Sequence, residues 1–441
     1  MLPQSKKMRN LVLSLAVSAC GLSAQTGVLI NKYTLPDIPI GPFQNSVFPG
    51  SIPNDHGFLL GGIGSGLFRS FLEGSNVYWM VTDRGPNPLN AAGRRTFPLE
   101  GFTPWLVKVR TNGTSIEILQ KIPITLPSGA PATGLPNTLV PQINGAARDE
   151  LVLQCDGVTV SSQNVNGLDT EDLVRTIDGN FWLVEEHSPS IIKVSPSGKV
   201  LKRFLPVGLT LPEIAYPVVN NLPQIYGDKR KQNRGFEGVT LGWDLRTIYA
   251  ALQSPMVNPT NAVGNASRNT RILAMDAYNE QVKAEYVYRF QASTEFGSMV
   301  PADMKISALA ALDPWRLLVL ERTDTVAKVY RVDLRNATNI LNGPFDLTAT
   351  SPSLEALDDA GLLAAGVNVL PKELIVDLST IPGIADKIEG MTIVDFDKLA
   401  FSNDNDFGVK PPAGQATCLI NDDSGVKNNI FVVKLNEPLL F

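Results

Sequence analysis

One pattern occurs four times in this chain and limits what the chain can become. In each copy a polar or acidic residue opens a short apolar run, a turn follows, and a second apolar run closes on another polar residue. The openers are Glu171, Glu237, Ser307 and Glu389, and the closers are Glu185, Gln253, Glu321 and Asn403. The turns between them are Asp178-Gly179-Asn180, Trp243-Asp244-Leu245-Arg246, Asp313-Pro314-Trp315-Arg316 and Asp395-Phe396-Asp397-Lys398. Runs such as Phe181-Trp182-Leu183-Val184 and Leu317-Leu318-Val319-Leu320 are too short for helices and read as buried strands. Strand, turn and returning strand form a hairpin, so opener and closer meet at one end of it. Several such hairpins around one axis bring their oxygen-bearing ends together.

The rest of the composition agrees with a chain of turns and short strands. Only 18% of the 441 residues are charged, while Gly (36) and Pro (32) are plentiful, which suits many turns and few long helices. A chain of this length forms one large all-β domain or two or three ordinary ones. The formal net charge of −5 gives no electrostatic basis for binding nucleic acid.

The first residues read as an export signal. Lys6, Lys7 and Arg9 precede the apolar stretch from Leu11 to Val17, and small residues follow. Two endings are open. Val17-Ser18-Ala19-Cys20 resembles a lipobox, which would leave Cys20 as a lipidated first residue. Cleavage after Ala19 or Ala24 would instead release a free product. The expected organisation is a signal over 1–24 and one domain over 25–441, destined for the periplasm, the medium or the outer membrane. Nothing else approaches the roughly 18 consecutive apolar residues of a membrane span. Of the remaining cysteines, Cys155 and Cys418 either pair in an oxidising compartment or stay as free thiols.

Phe58 to Arg69 and Val77 to Thr82 read as a first hairpin closing on Asp83. The Gly61-Gly62-Ile63-Gly64-Ser65-Gly66 cluster inside it is not a phosphate loop, because no helix pattern and no Lys-Ser/Thr follow. Glycines in a strand instead permit close backbone approach or a bulge. Residues 84–165 read as long loops on one face holding one strand pair, Trp105 to Val109 and Ile116 to Leu119. Each later hairpin is followed by a further strand. Repetition of such units over tens of residues predicts an all-β fold, a β-propeller. Five units are visible, and a sixth is placed in 336–380 with Glu373 to Leu378 as one strand, so the expectation is six blades. A strand near Val28 to Tyr33 is expected to close the ring against the last blade.

Several phrases taken together resemble one family: Gly167-Leu-Asp169-Thr-Glu171-Asp172, Phe181-Trp182-Leu-Val-Glu185-Glu186-His187-Ser-Pro189-Ser190, Asn233-Arg-Gly-Phe236-Glu237-Gly238, Leu318-Val-Leu-Glu321-Arg322, Lys387-Ile-Glu389-Gly390 and Asn403-Asp404-Asn405-Asp406-Phe407-Gly408. In this order they are similar to the phytase-like family, also described as "esterase-like activity of phytase", from about Gly57 to Phe441. The resemblance implies an exported propeller. His187 stands where the family more often has Tyr, and the Asp-Asp-Pro-Ala-Ile-Trp phrase of β-propeller phytases is absent, which argues against phytate as substrate.

The hairpin ends offer a ring of oxygen donors. Asp83, Asp169, Glu185, Glu237, Glu321, Glu389, Asn403 and Asp404 are the expected metal ligands, with Gln253 beside them. Calcium takes about 6 to 8 such oxygens. Zinc would want His and Cys, which are few and far apart here. Arg84, Arg234 and Arg322 lie close in sequence to ring acids and are the expected binders of a substrate phosphate or carboxylate. Glu171, Glu237 and His187 are the expected catalytic residues; the other histidine is His56. No Gly-x-Ser-x-Gly elbow supports a serine hydrolase.

Two functions follow. In the first, the protein is a monomeric metal-assisted hydrolase of a small phosphoester or other ester, with Ca²⁺ polarising the reacting oxygen and a carboxylate activating water. In the second, it is an exported non-enzymatic binding protein whose metal is structural. Because the third copy opens on Ser307 rather than an acid, that unit is expected to contribute Glu321 alone.

Overall fold

The apolar runs become strands because their branched and aromatic side chains pack on both faces of short sheets stacked around an axis. The computed structural model describes residues 26–41, 58–90, 92–141, 143, 150–154, 156–409 and 424–439. The expected signal segment, Cys20, Cys155, Cys418 and His56 lie outside the described residues. Strand β1 (Gly27–Thr34) comes first and belongs to the last sheet. The first blade is β2 (Gly66–Phe68), β3 (Val77–Val81), β4 (Trp105–Asn112) and β5 (Ser115–Pro123). The second is β6 (Thr170–Arg175), β7 (Phe181–Glu185), β8 (Ser190–Val194) and β9 (Val200–Pro206), extended by β10 (Val218–Leu222), which pairs parallel to β9. The third is β11 (Phe236–Leu241), β12 (Thr247–Leu252), β13 (Asn269–Asp276) and β14 (Val282–Arg289). The fourth is β15 (Lys305–Ala311), β16 (Arg316–Arg322), β17 (Ala327–Asp333) and β18 (Lys372–Asp377). The fifth is β19 (Ile388–Asp395), β20 (Lys398–Asn403) and β21 (Asn429–Leu435), completed by β1.

The innermost strands β2, β6, β11, β15 and β19 each pack against the next, and β19 returns to β2, so the ring is closed. The fold is a β-propeller. The expected closure is present: β1 pairs antiparallel with β21 from Gly27 opposite Leu435 to Thr34 opposite Asn429. The described residues form no sixth blade. The described strands make five, and the strand near Glu373 is β18, paired with β17 as the outer edge of the fourth blade. The residues before it form short helical turns instead of strands. Their apolar side chains, among them Phe345, Leu354 and Leu362, cover Val287 of the third blade. Likewise the Trp105–Asn112 and Ser115–Pro123 pair is not a loop feature but the outer half of the first blade.

The core lies between blades. Trp79 of the first meets Phe181 of the second edge-on at 4.8 Å, and Trp182 stacks on Phe204 at 5.4 Å. Each fully buried large side chain of this kind contributes about 1.5–3 kcal/mol. Near the axis the space is tighter. A Cβ on Gly238 would lie 2.9 Å from the Ala308 Cα of the next blade, and one on Gly64 only 1.9 Å from the Asn403 oxygen. The glycines of the first hairpin thus serve close backbone approach.

One irregularity is shared by the inner strands. The pairing steps from Phe236–Leu252 to Gly238–Ala251, from Ile306–Glu321 to Ala308–Leu320, and from Ile388–Asn403 to Gly390–Ser402. In the second blade it steps from Thr170–Glu185 to Leu173–Leu183. Each step is a β-bulge, and the extra residues are Glu237, Ser307, Glu389 and the Glu171-Asp172 pair: the four openers.

Candidate functional site

A bulge leaves one residue unpaired and re-aims its side chain. Here it turns Glu171, Glu237 and Glu389 off the sheets and into the mouth of the central channel, a cavity of about 130 Å³. The second strand of each blade ends at the same mouth. In the second, third and fifth blades the residue after the last paired one lines the mouth, giving Glu186, Gln253 and Asp404; in the fourth it is the last paired residue, Arg322, opposite Lys305. The first blade supplies Ser65 and Asp83, and the loops supply Arg84, Asn87, Arg95, Asn233 and Arg234.

Of the residues expected from sequence, Asp83, Asp169, Glu171, Glu237, Glu389, Asp404, Arg84, Arg234 and Arg322 are brought together here, with Gln253. Glu185, Glu321, Asn403 and His187 are not. Side chains alternate along a strand, so an error of one position exchanges the two faces. Glu185 is fully buried, 2.9 Å from Arg203, and accepts from the Ser188 N–H at 2.8 Å. Glu321 is equally buried, paired with Lys372 at 2.7 Å and accepting from the Tyr288 hydroxyl. Asn403 Oδ1 accepts from the Asn429 N–H at 2.8 Å. His187 is buried behind the mouth, its Nδ1 3.4 Å from Glu150 Oε2, which in turn holds Arg84 at 2.7 Å. The fourth blade therefore contributes a cation, Arg322, where an acid was expected.

Sequence reasoning missed Glu186, Asp406, Asn233, Lys305 and Lys387, all of which line the cavity. Glu186 was visible as the second half of Glu185-Glu186. Lys305 and Lys387 each stand two residues before an opener, which is the same-face spacing of a strand.

Charge is divided unevenly around the mouth. Asp169, Glu171 and Glu186 offer carboxylate oxygens within 4.8 Å of one another, all buried. Asp169 Oδ2 lies 3.3 Å from Arg84 Nε, and Glu186 Oε1 accepts from Gln253 Nε2 at 2.7 Å. Glu171 is more than nine-tenths buried and has no hydrogen-bond or ion-pair partner among the described residues. Burial, reinforced by neighbouring carboxylates, raises Glu171, Glu186 and Asp83 well above the usual carboxylate range. Burial likewise lifts Glu389 to about 8 even though Arg322 donates to it, and raises Glu237 despite Arg322 and Lys305.

The cations of the fourth and fifth blades are paired with the remaining acids. Arg322 is buried and fully engaged: its Nε donates to Ser307 Oγ at 2.7 Å, and its other nitrogens reach Glu389 and Asp324. Lys387 spans Asp404 at 3.0 Å and Asp406 at 2.7 Å. Although burial pushes the Asp404 carboxyl up, this ammonium holds it below its usual range. Arg234 differs from these. It is half-buried, donates to Gln253 Oε1, and has no carboxylate ion pair among the described residues. Beside it, burial and the charges of Arg322 and Arg234 lower Lys305. Lys305 pairs with Asp324 at 2.8 Å, and it lines the same cavity as Arg234 and the three crowded acids.

The family described as "Phytase-like: Esterase-like activity of phytase" matches residues 59–407. A curated relative, an uncharacterized secreted protein of Arthroderma benhamiae, is 25% identical over 311 residues; the match spans 61% of this chain and 60% of that protein. Among solved structures, a luciferin-regenerating enzyme is 10% identical with a TM-score of 0.35, covering 85% of this chain and 92% of its own. A streptogramin B lyase is 12% identical with a TM-score of 0.29, covering 93% of this chain and 100% of its own.

Proposed function

Because the chain belongs to the phytase-like family, we propose that it is an exported hydrolase that splits a phosphoester, or another anionic ester, at the acidic mouth of the propeller with the help of Ca²⁺. The observation that carries this reading is Glu171: a buried carboxylate with no partner among the described residues, close to two others, in a mouth that Arg234 and Lys305 also line. Converging carboxylates repel unless protons or a cation join them. The donor set is hard oxygen, which suits calcium and not zinc. Asp169, Glu171 and Glu186 would hold the ion, and Asp83 extends the set toward the first blade.

When bound, the cation polarises the ester oxygen and lowers the pKa of water. The remaining work belongs to side chains. Arg234 and Lys305 bind the substrate's negative charge, and their presence in one cavity favours a phosphoester over a neutral ester. Glu237, held by Gln253, Ser307 and Arg322, accepts the proton of the attacking water. Glu389, protonated at neutral pH by its raised pKa, donates to the leaving oxygen.

The test is turnover of phosphomonoesters, phosphodiesters and lactones with and without EDTA, for the parent and for Glu171→Gln. The expected result is activity that EDTA abolishes and that falls at least about a hundredfold in the variant. Calcium that raises the melting temperature with no turnover on any class would instead describe a binding protein with a structural ion.

A further inference from the structure

The five turns that join each innermost strand to the second strand of its blade gather on the face opposite the acidic mouth. Each carries a large apolar side chain more than half exposed: Phe71 and Leu72 in the first blade, Ile177 in the second, Trp243 in the third, Trp315 in the fourth and Phe396 in the fifth. Scattered exposed apolar residues are ordinary, but one at every tip of a ring is a patch. The turn carboxylates that would oppose an apolar surface are folded back on their own backbones. Asp244 Oδ1 accepts from Arg246 N at 3.0 Å and Thr247 N at 2.8 Å, and Asp313 Oδ1 accepts from Trp315 N and Arg316 N at 2.8 Å. Inside the ring the channel opens as a second cavity of about 540 Å³, floored by Leu67, Leu173, Leu241 and Met391.

The chain also enters the propeller on this face. Gly27 pairs with Leu435, and the Leu435 N–H donates to the Asp397 oxygen in the fifth turn at 2.8 Å. Thr26 therefore emerges beside the apolar tips, and Cys20 of the lipobox-like Val17-Ser18-Ala19-Cys20 precedes it by only six residues.

We propose that this face rests on a lipid bilayer, with its indole and phenyl rings in the interfacial layer and the acidic mouth turned to solvent. Trp and Phe suit that layer, which is apolar on one side and wet on the other. Tips spaced around a hollow fit a deformable surface better than a rigid partner. With a formal net charge of −5 the chain as a whole is not drawn to anionic headgroups, so the proposal rests on the apolar tips.

The experiment uses the full chain carrying Cys20→Ala, so that no lipid is attached at that residue. It is sedimented with vesicles of phosphatidylcholine, alone or mixed with phosphatidylglycerol, at low and high salt. Binding to both, insensitive to salt, is expected, with a blue shift of tryptophan emission. The other three tryptophans, Trp79, Trp105 and Trp182, are buried, so the shift reports Trp243 and Trp315. The double variant Trp243→Ser, Trp315→Ser should partition about tenfold more weakly and lose the shift, with its melting temperature unchanged because both side chains are exposed. No partitioning, partitioning untouched by the double variant, or partitioning that requires phosphatidylglycerol and fails at high salt would each overturn the proposal. So would self-association that the double variant abolishes, which would assign the face to a second copy.

Discussion

Glu185 and Glu186 are chemically identical neighbours with opposite fates. Glu185 is sealed against Arg203, so Glu185→Gln leaves a buried guanidinium unpaired and should cost about 3–5 kcal/mol of stability. Glu186→Gln should cost little stability and should blunt the rise in melting temperature on adding calcium; thermal melts of both variants with and without the ion check the pair. The acids at the mouth also set a pH dependence. Glu389 has a folded-state pKa near 8, and Glu171, Glu186 and Asp83 are raised in the same sense. An acid whose pKa rises on folding favours the folded state while protonated, and that stability is lost as pH climbs from the unfolded value, about 4.5, through the folded one. In EDTA the melting temperature should therefore fall between about pH 5 and 8, and calcium should restore it at pH 8. A flat profile would mean that the acids are already neutralised within the protein. At this scale the sequence was only half legible. Residue type and neighbourhood were plain, but which of two adjacent acids faces inward depends on strand phase, which a single residue of bulge inverts.

At the scale of the strand, the bulge explains the repeated phrase. An opener is polar because it leaves the sheet, and Gly follows it in the third and fifth blades because the inner strands crowd the axis there. Gly238→Ala should place a methyl against the Ala308 backbone and destabilise by about 1–3 kcal/mol, while leaving the identity of every cavity residue unchanged. Chemical denaturation measures the first and residual calcium binding the second. Hairpins were readable because turn residues and apolar runs are local signals. The outer strand Lys372–Asp377 was seen as a strand but given to the wrong blade, since its partner β17 lies beyond a stretch of helical turns and nothing local names that partner.

For the whole molecule, ring closure depends on a strand taken from the other end of the chain. Deleting residues 26–34 would expose β21 as an unprotected edge. The expected outcome is loss of the parent's elution peak in size-exclusion chromatography, whereas the double tryptophan variant should elute as the parent does. The propeller was legible from repetition, the blade count less so, because repetition counts hairpins and a blade is completed by outer strands with weaker patterns. Closure has a further consequence in time. The acidic mouth draws on all five blades, and the last of them takes its outermost strand from β1, far away in sequence. A chain still being made therefore lacks the fifth-blade side of the mouth, although Asp169, Glu171 and Glu186 have already been added. The fifth blade is complete only once β1 has paired with β21.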